Sequence, residues 1–190
     1  LLQHGHCQPT ARPRDIVLLI DGSEAMSGDK IEGARGAGRT FLNALDLGRD
    51  RVAVLRYSAE ARLMQGMSDD RARLVAALDS LAAGSGSRLD LGLWAALEIL
   101  SGPALRDDAA PVILLLTAGR PELGREPALR EAARLGRAIG VSIEIVGFGD
   151  DLPLALLGDI AGAPSRLYRA QNAGDLAARF VEIAGRAPCP

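Results

Sequence analysis

Two runs of five consecutive aliphatic residues, Ile16-Val17-Leu18-Leu19-Ile20 and Val112-Ile113-Leu114-Leu115-Leu116, constrain this chain more than any other feature. A strand with one wet face alternates polar and apolar side chains, because successive residues point to opposite faces. A run without alternation has to be covered on both faces, which is the condition of a central strand in a parallel sheet. The first run ends at Asp21-Gly22-Ser23-Glu24-Ala25 and the second at Thr117-Ala118-Gly119-Arg120. In open α/β sheets ligands bind outside the carboxyl ends of the strands, where strand order reverses. Asp21 and Ser23 are therefore the first candidates for a binding rim.

The remaining segments supply the other layers. Ile31, Ala34, Gly38, Phe41 and Leu45 recur at helical spacing and predict a helix over 30–45. Its internal Gly33, Gly36 and Gly38 predict close packing on the sheet, since each costs up to about 1 kcal/mol relative to alanine. Residues 51–57 read as a strand, and 62–67 as a short edge strand antiparallel to it. Ser68-Asp69-Asp70 supplies a cap and an acidic first turn to a helix carrying Leu74, Val75, Leu78 and Leu81. The loop Gly84-Ser85-Gly86-Ser87 leads into a helix with Leu89, Leu93, Ala96, Leu97 and Leu100. A helix over 127–139 stopped by Gly140, a strand over 141–146, a short helix around 154–160, a strand near 166–168 and a final helix with Leu176, Phe180, Val181 and Ile183 complete the order. Strands alternating with helices predict an α/β, doubly wound, Rossmann-like and mostly parallel sheet with one short antiparallel edge strand and helices on both faces. The expected organisation is a flexible tail over 1–11, one domain over 12–187 and a C-terminal tail over 188–190.

Composition removes several function classes. Aromatic residues make up 3% against 48% hydrophobic, so the core is aliphatic. A formal charge of −2 gives no electrostatic reason to expect nucleic acid or an anionic membrane. No apolar stretch approaches the roughly 18 residues of a membrane span. The first strand is not followed by G-x-G-x-x-G, the glycines at 33, 36 and 38 fall inside a helix, and no Walker lysine loop occurs, which argues against a nucleotide. Both histidines, His4 and His6, stand in the N-terminal tail, so a Ser-His-Asp arrangement has no histidine in the domain. The only cysteines, Cys7 and Cys189, flank the predicted fold. Termini of such domains often lie close together, and a bond between them would stabilise by about 5 kcal/mol in the chain-entropy model. A Cys7–Cys189 disulfide is the expectation, and with it an oxidising compartment; two unrelated free thiols are the other reading.

The stretches DIVLLIDGSEAMSGDKIE, RVAVLRYS, GSRLDLGLWAALEIL, PVILLLTAGRP and VSIEIVGFGDDL, in this order and spacing, resemble the von Willebrand factor type A domain over residues 12–186. Flanking cysteines that join the two ends are also a feature of several extracellular members. Members with a working metal-ion-dependent adhesion site use three loops: Asp-x-Ser-x-Ser, a Thr, and an Asp after the fourth core strand. Together these approach the six-oxygen shell that Mg²⁺ demands and leave one position for a partner's carboxylate. Carried over by position, Asp21 and Ser23 match the first loop and Ser87 stands at the threonine. Ala25 stands at the second serine and Ala118 at the aspartate.

The resemblance thus implies a degenerate site with weak Mg²⁺ binding (or Mn²⁺ or Ca²⁺), or no cofactor at all. Glu24 and Asp90 are the nearby carboxylates that would rebuild it, with Asp150 and Asp151 further candidates. Arg88 or Arg120 would instead place fixed positive charge beside Asp21. In the plainest reading Asp21 serves the loop's own amides. The implied function is a non-enzymatic, metal-independent protein-binding, adhesion or assembly module outside the cytosol, extracellular or in the cell envelope. The alternative is an Mg²⁺-dependent adhesion domain with a weakened or rebuilt site.

Overall fold

The computed structural model describes residues 12–186. Cys7, Cys189, their expected disulfide and the expected tails lie outside the described residues. The strands are β1 (Arg14–Asp21), β2 (Arg51–Tyr57), β3 (Ala61–Ser68), β4 (Ala110–Thr117), β5 (Ser142–Phe148) and β6 (Leu167–Ala170). They form one sheet in the order β3-β2-β1-β4-β5-β6, parallel except for the β2–β3 pair. The two aliphatic runs are thus the two adjacent central strands. The chain leaves β1 toward one edge through β2 and β3, then returns to β4 on the other side. The switch point predicted from the sequence falls between β1 and β4.

The period of two divides the runs between two cores. Ile16, Leu18, Ile20, Val112, Leu114 and Leu116 pack under α1 (Asp29–Ala44), α2 (Arg71–Asp79) and α6 (Ala173–Ala184). Val17, Leu19, Ile113 and Leu115 pack under α3 (Leu89–Ser101), α4 (Glu126–Ala138) and α5 (Leu154–Ala161). Burying one such side chain is worth about 1.5–3 kcal/mol, so neither run can be moved by one register without exchanging its partners on both faces.

Three local details differ from the expectations. The glycines of α1 serve helix contacts more than sheet contacts: a Cβ on Gly33 would lie 3.2 Å from that of Ala173 in α6, with Phe148 of β5 next at 3.6 Å, and one on Gly38 would lie 2.8 Å from Leu78 in α2. Gly36 faces open space. The acidic residues before α2 precede the helix and do not form its first turn; Asp70 is the cap, accepting from the amides of Ala72 (2.9 Å) and Arg73 (3.2 Å).

The amino-terminal end of the sheet is closed by charge. Asp15 is fully buried, receives Arg51 at 2.7 Å and Arg106 at 2.8 Å, and accepts the Arg106 amide at 3.0 Å. Burial pushes its pKa up, but the hydrogen bonds from Arg51 and Arg106 outweigh burial and hold the carboxyl below its usual range. Beside it Arg14 pairs with Asp50 at 2.5 Å and donates to the carbonyls of Ala184 (2.9 Å) and Arg186 (3.2 Å). The first strand and the end of the last helix are therefore joined directly.

A candidate binding rim

At the carboxyl end of the sheet, register brings three side chains into one row. Asp21 lies opposite Tyr57 in β2, and β1 pairs with β4 through Ile20 and Leu116, which puts Thr117 beside Asp21. All three face the same side and all are buried. The Tyr57 hydroxyl donates to Thr117 Oγ1 at 3.0 Å, and Thr117 Oγ1 lies 3.5 Å from Asp21 Oδ2. Burial, with the Asp21 charge adding to it, pushes the Tyr57 hydroxyl well above the usual tyrosine range.

Asp21 is occupied by the rim's own backbone. Its Oδ1 accepts the Ser23 amide at 2.8 Å and its Oδ2 accepts the Ala118 amide at 3.0 Å. The carboxylate therefore bridges the loop after β1 to the loop after β4. These loops also touch at Ala25, where a Cβ on Gly119 would stand 3.2 Å from the alanine methyl. The loop before α3 is laced to its neighbours through backbone bonds. Gly84 N–H donates to Gly22 O (2.8 Å), Ala59 N–H to Ser85 O (2.8 Å), Arg88 N–H to Ser58 O (2.7 Å) and Glu122 N–H to Ser87 O (3.1 Å). Gly86 adopts φ +78°, and a Cβ there would come 2.7 Å from Ala59 Cα, so the loop's approach to the β2–β3 turn depends on this glycine.

The candidate residues fall into distinct environments. Ser23 is buried and Ser87 half-buried, whereas Glu24 and Ala25 are exposed and Ala118 is buried. Arg88 does not reach Asp21: both arms of its guanidinium bind Asp90, each at 2.8 Å. The Arg88 hydrogen bonds hold the Asp90 carboxyl below its usual range against the opposing effect of burial. Arg120 pairs with Asp151 at 2.9 Å on the surface, and Asp150 faces Arg169 at 3.8 Å. The expectation of a guanidinium from position 88 or 120 beside Asp21 is thus corrected, because each has a closer carboxylate of its own. Asp90, offered as a compensating ligand, is engaged by that same arginine.

This donor set does not fit an octahedral Mg²⁺ shell. Two of the five positions carry methyl groups, and the neighbouring carboxylates at 90, 150 and 151 face arginines. Among the described residues no three His, Cys, Asp or Glu side chains converge on one point.

Sequence reasoning passed over Tyr57, Thr117 and Arg56. Each had a signal: the first two end buried runs at the level of Asp21, and Arg56 is a charge directly after the aliphatic residues 52–55 of its strand.

Comparison with known proteins gives the same frame. The chain matches inter-alpha-trypsin inhibitor heavy chain H4 from pig (28% identity, 84% of this chain) and human (30% identity, 80% of this chain), and spans only 19% and 17% of those relatives' lengths. The vWF domain of the type V pili tip protein Mfa5 from Porphyromonas gingivalis superposes with a TM-score of 0.78 at 17% identity, over 91% of this chain and 94% of that one. Proximal thread matrix protein 1 from the mussel byssus, solved with a zinc-occupied MIDAS motif, superposes with a TM-score of 0.75 at 20% identity, over 91% and 46%. The von Willebrand factor type A domain model matches residues 15–181. The chain belongs to the von Willebrand factor type A domain family.

Proposed function

We propose that this domain is a non-enzymatic protein-binding module, used for adhesion or assembly, that holds its partner without a metal ion at the rim. Family membership supports the interaction role. The observation that carries metal independence is the donor set, which lacks side-chain oxygens at positions 25 and 118 and has Asp90 held by Arg88. An ion entering here would find no side-chain oxygen at positions 25 and 118 and would have to keep more of its water to fill its shell. Mg²⁺ gives up its water reluctantly, and with two ligands missing the exchange of water for protein oxygens is unfavourable. Partner contacts then fall to the exposed rim surface, including Glu24, Ala25, Arg120 and the fully projecting Leu123.

The site of action in this reading is outside the cytosol, extracellular or in the cell envelope, with a domain over 12–187. Similarity to a pili tip protein supports it.

The second reading is an Mg²⁺-dependent adhesion domain with a weakened site. It is favoured by the retention of Asp21, Ser23 and Ser87 at three ligand positions and by the zinc-occupied motif of the mussel neighbour. Calorimetric titration with MgCl₂ separates the two readings. The proposed function expects no saturating heat at sub-millimolar metal, and a saturable isotherm in that range overturns it.

A further inference from the structure

We propose that Arg56 is the fixed cation of this rim: its guanidinium is threaded between the loop after β1 and the loop before α3, ties them together, and holds the rim in one conformation with or without a divalent ion. Arg56 stands in β2 opposite Ile20 of β1, one residue before Tyr57 and so on the opposite face of the sheet. Its Nε donates to Ala82 O at 2.8 Å and its terminal nitrogen to Gly22 O at 3.3 Å. The same Gly22 carbonyl accepts the Gly84 amide at 2.8 Å. One acceptor on the first loop therefore takes both a backbone donor from the second loop and the cation that bonds to that loop two residues earlier.

The slot is shaped for this side chain. A Cβ on Gly22 would lie 2.8 Å from Arg56 Cγ and 2.9 Å from Cδ, and a Cβ on Gly84 would lie 2.8 Å from the terminal guanidinium nitrogen. Neither glycine has positive φ; a Cβ at Gly22 would meet the stem of Arg56, and one at Gly84 the end of its guanidinium. Both hydrogen-bond acceptors of the Arg56 guanidinium among the described residues are backbone carbonyls. A cation that meets carbonyl dipoles of two loops does the tying that a metal ion does through side-chain oxygens. A lysine would not replace it, because its point charge lacks the rigid fork that reaches two acceptors at once.

The inference shares with the proposed function only the statement that no ion is needed, and the test keeps the two apart. Amide hydrogen exchange is measured for the full chain and for Arg56→Met and Arg56→Lys, each in EDTA and in millimolar MgCl₂. In the Met variant the Gly84 amide is expected to exchange at least tenfold faster than in the parent protein, with β4 amides unchanged. The Lys variant should fall between, and it decides the matter if the Met variant does not fold. Exchange at Gly84 within twofold of the parent in the variants overturns the proposal. Equal acceleration in β4 does the same, since Arg56 would then support the whole fold and not the rim. Slowing of Gly84 exchange by MgCl₂ in the parent protein instead strikes the metal-independent reading, whatever the variants show.

Discussion

Asp21 offers the sharpest separation between a carboxylate kept for an ion and one kept for the fold. Its two oxygens satisfy two buried amides, at 2.8 Å from Ser23 and 3.0 Å from Ala118, and the Thr117 hydroxyl stands at 3.5 Å, too far to count as a full bond. Asp21→Asn preserves shape but presents an NH₂ to one of the two N–H groups, leaving one donor unmatched at a cost of about 1–3 kcal/mol. Asp21→Ala leaves both donors unmatched, for about 2–6 kcal/mol in all. A domain of this size shifts by about 2–4 °C per kcal/mol. The alanine variant should therefore melt roughly 5–20 °C lower than the parent, and the asparagine variant should lose about half as much. Urea unfolding and thermal melts, each in EDTA and in MgCl₂, measure both. An asparagine variant as stable as the parent within about 0.5 kcal/mol, the ordinary scatter of surface substitutions, would refute the assignment of both oxygens to backbone amides. A stability loss seen only when Mg²⁺ is present would return the carboxylate to metal binding.

Other consequences follow from the same geometry. The double substitution Ala25→Ser with Ala118→Asp restores one direct oxygen and one carboxylate, and is expected to bring a saturable Mg²⁺ isotherm that the parent protein lacks. Tyr57 is pushed well above the usual range, chiefly by burial, and Tyr168 up to about 12 by burial and the Glu144 charge. For both, the unfolded chain ionises first, so their contribution is complete below about pH 10 and lost above it at up to about 1.4 kcal/mol per pH unit for each tyrosine. Denaturant unfolding above pH 10 should show this slope, and Tyr57→Phe should reduce it by the share of one group. Because Arg14 donates to the carbonyls of Ala184 and Arg186, the described ends of the chain meet, and a Cys7–Cys189 bond is expected. Peptide mapping without reductant should find the linked pair, and reduction should lower stability by at most about 5 kcal/mol.

The elements were largely legible in the sequence, and particular residues show why. Sixteen to twenty and 112 to 116 are uninterrupted aliphatic runs, and only a strand covered on both faces hides every one of their side chains. Gly140, at φ +86° just past α4, and Asp70, capping α2, act within a few residues of the feature that they end or begin. Such signals are local, so the chain carries them openly. The division of glycines in α1 was not legible, because whether Gly33 meets the sheet or α6 depends on a helix 140 residues away in the chain.

By itself the sequence determined the α/β architecture, the antiparallel edge strand, the family and the placing of methyl groups at 25 and 118. These depend on periodicity, capping and residue identity, which need no knowledge of distant neighbours. Only the tertiary structure decided what each polar group of the rim does. Arg88 turns to Asp90 two residues away and Arg120 to Asp151, while Arg56, at none of the metal-ligand positions, lies between two loops. Asp21 is completed by the amide of residue 118, 97 positions on. Hydrogen bonds of this kind depend on distances of a few tenths of an ångström between segments that the chain order leaves far apart. The loop at Asp21 marks the fold through its residues, and its chemistry is set by the neighbours that folding brings to it.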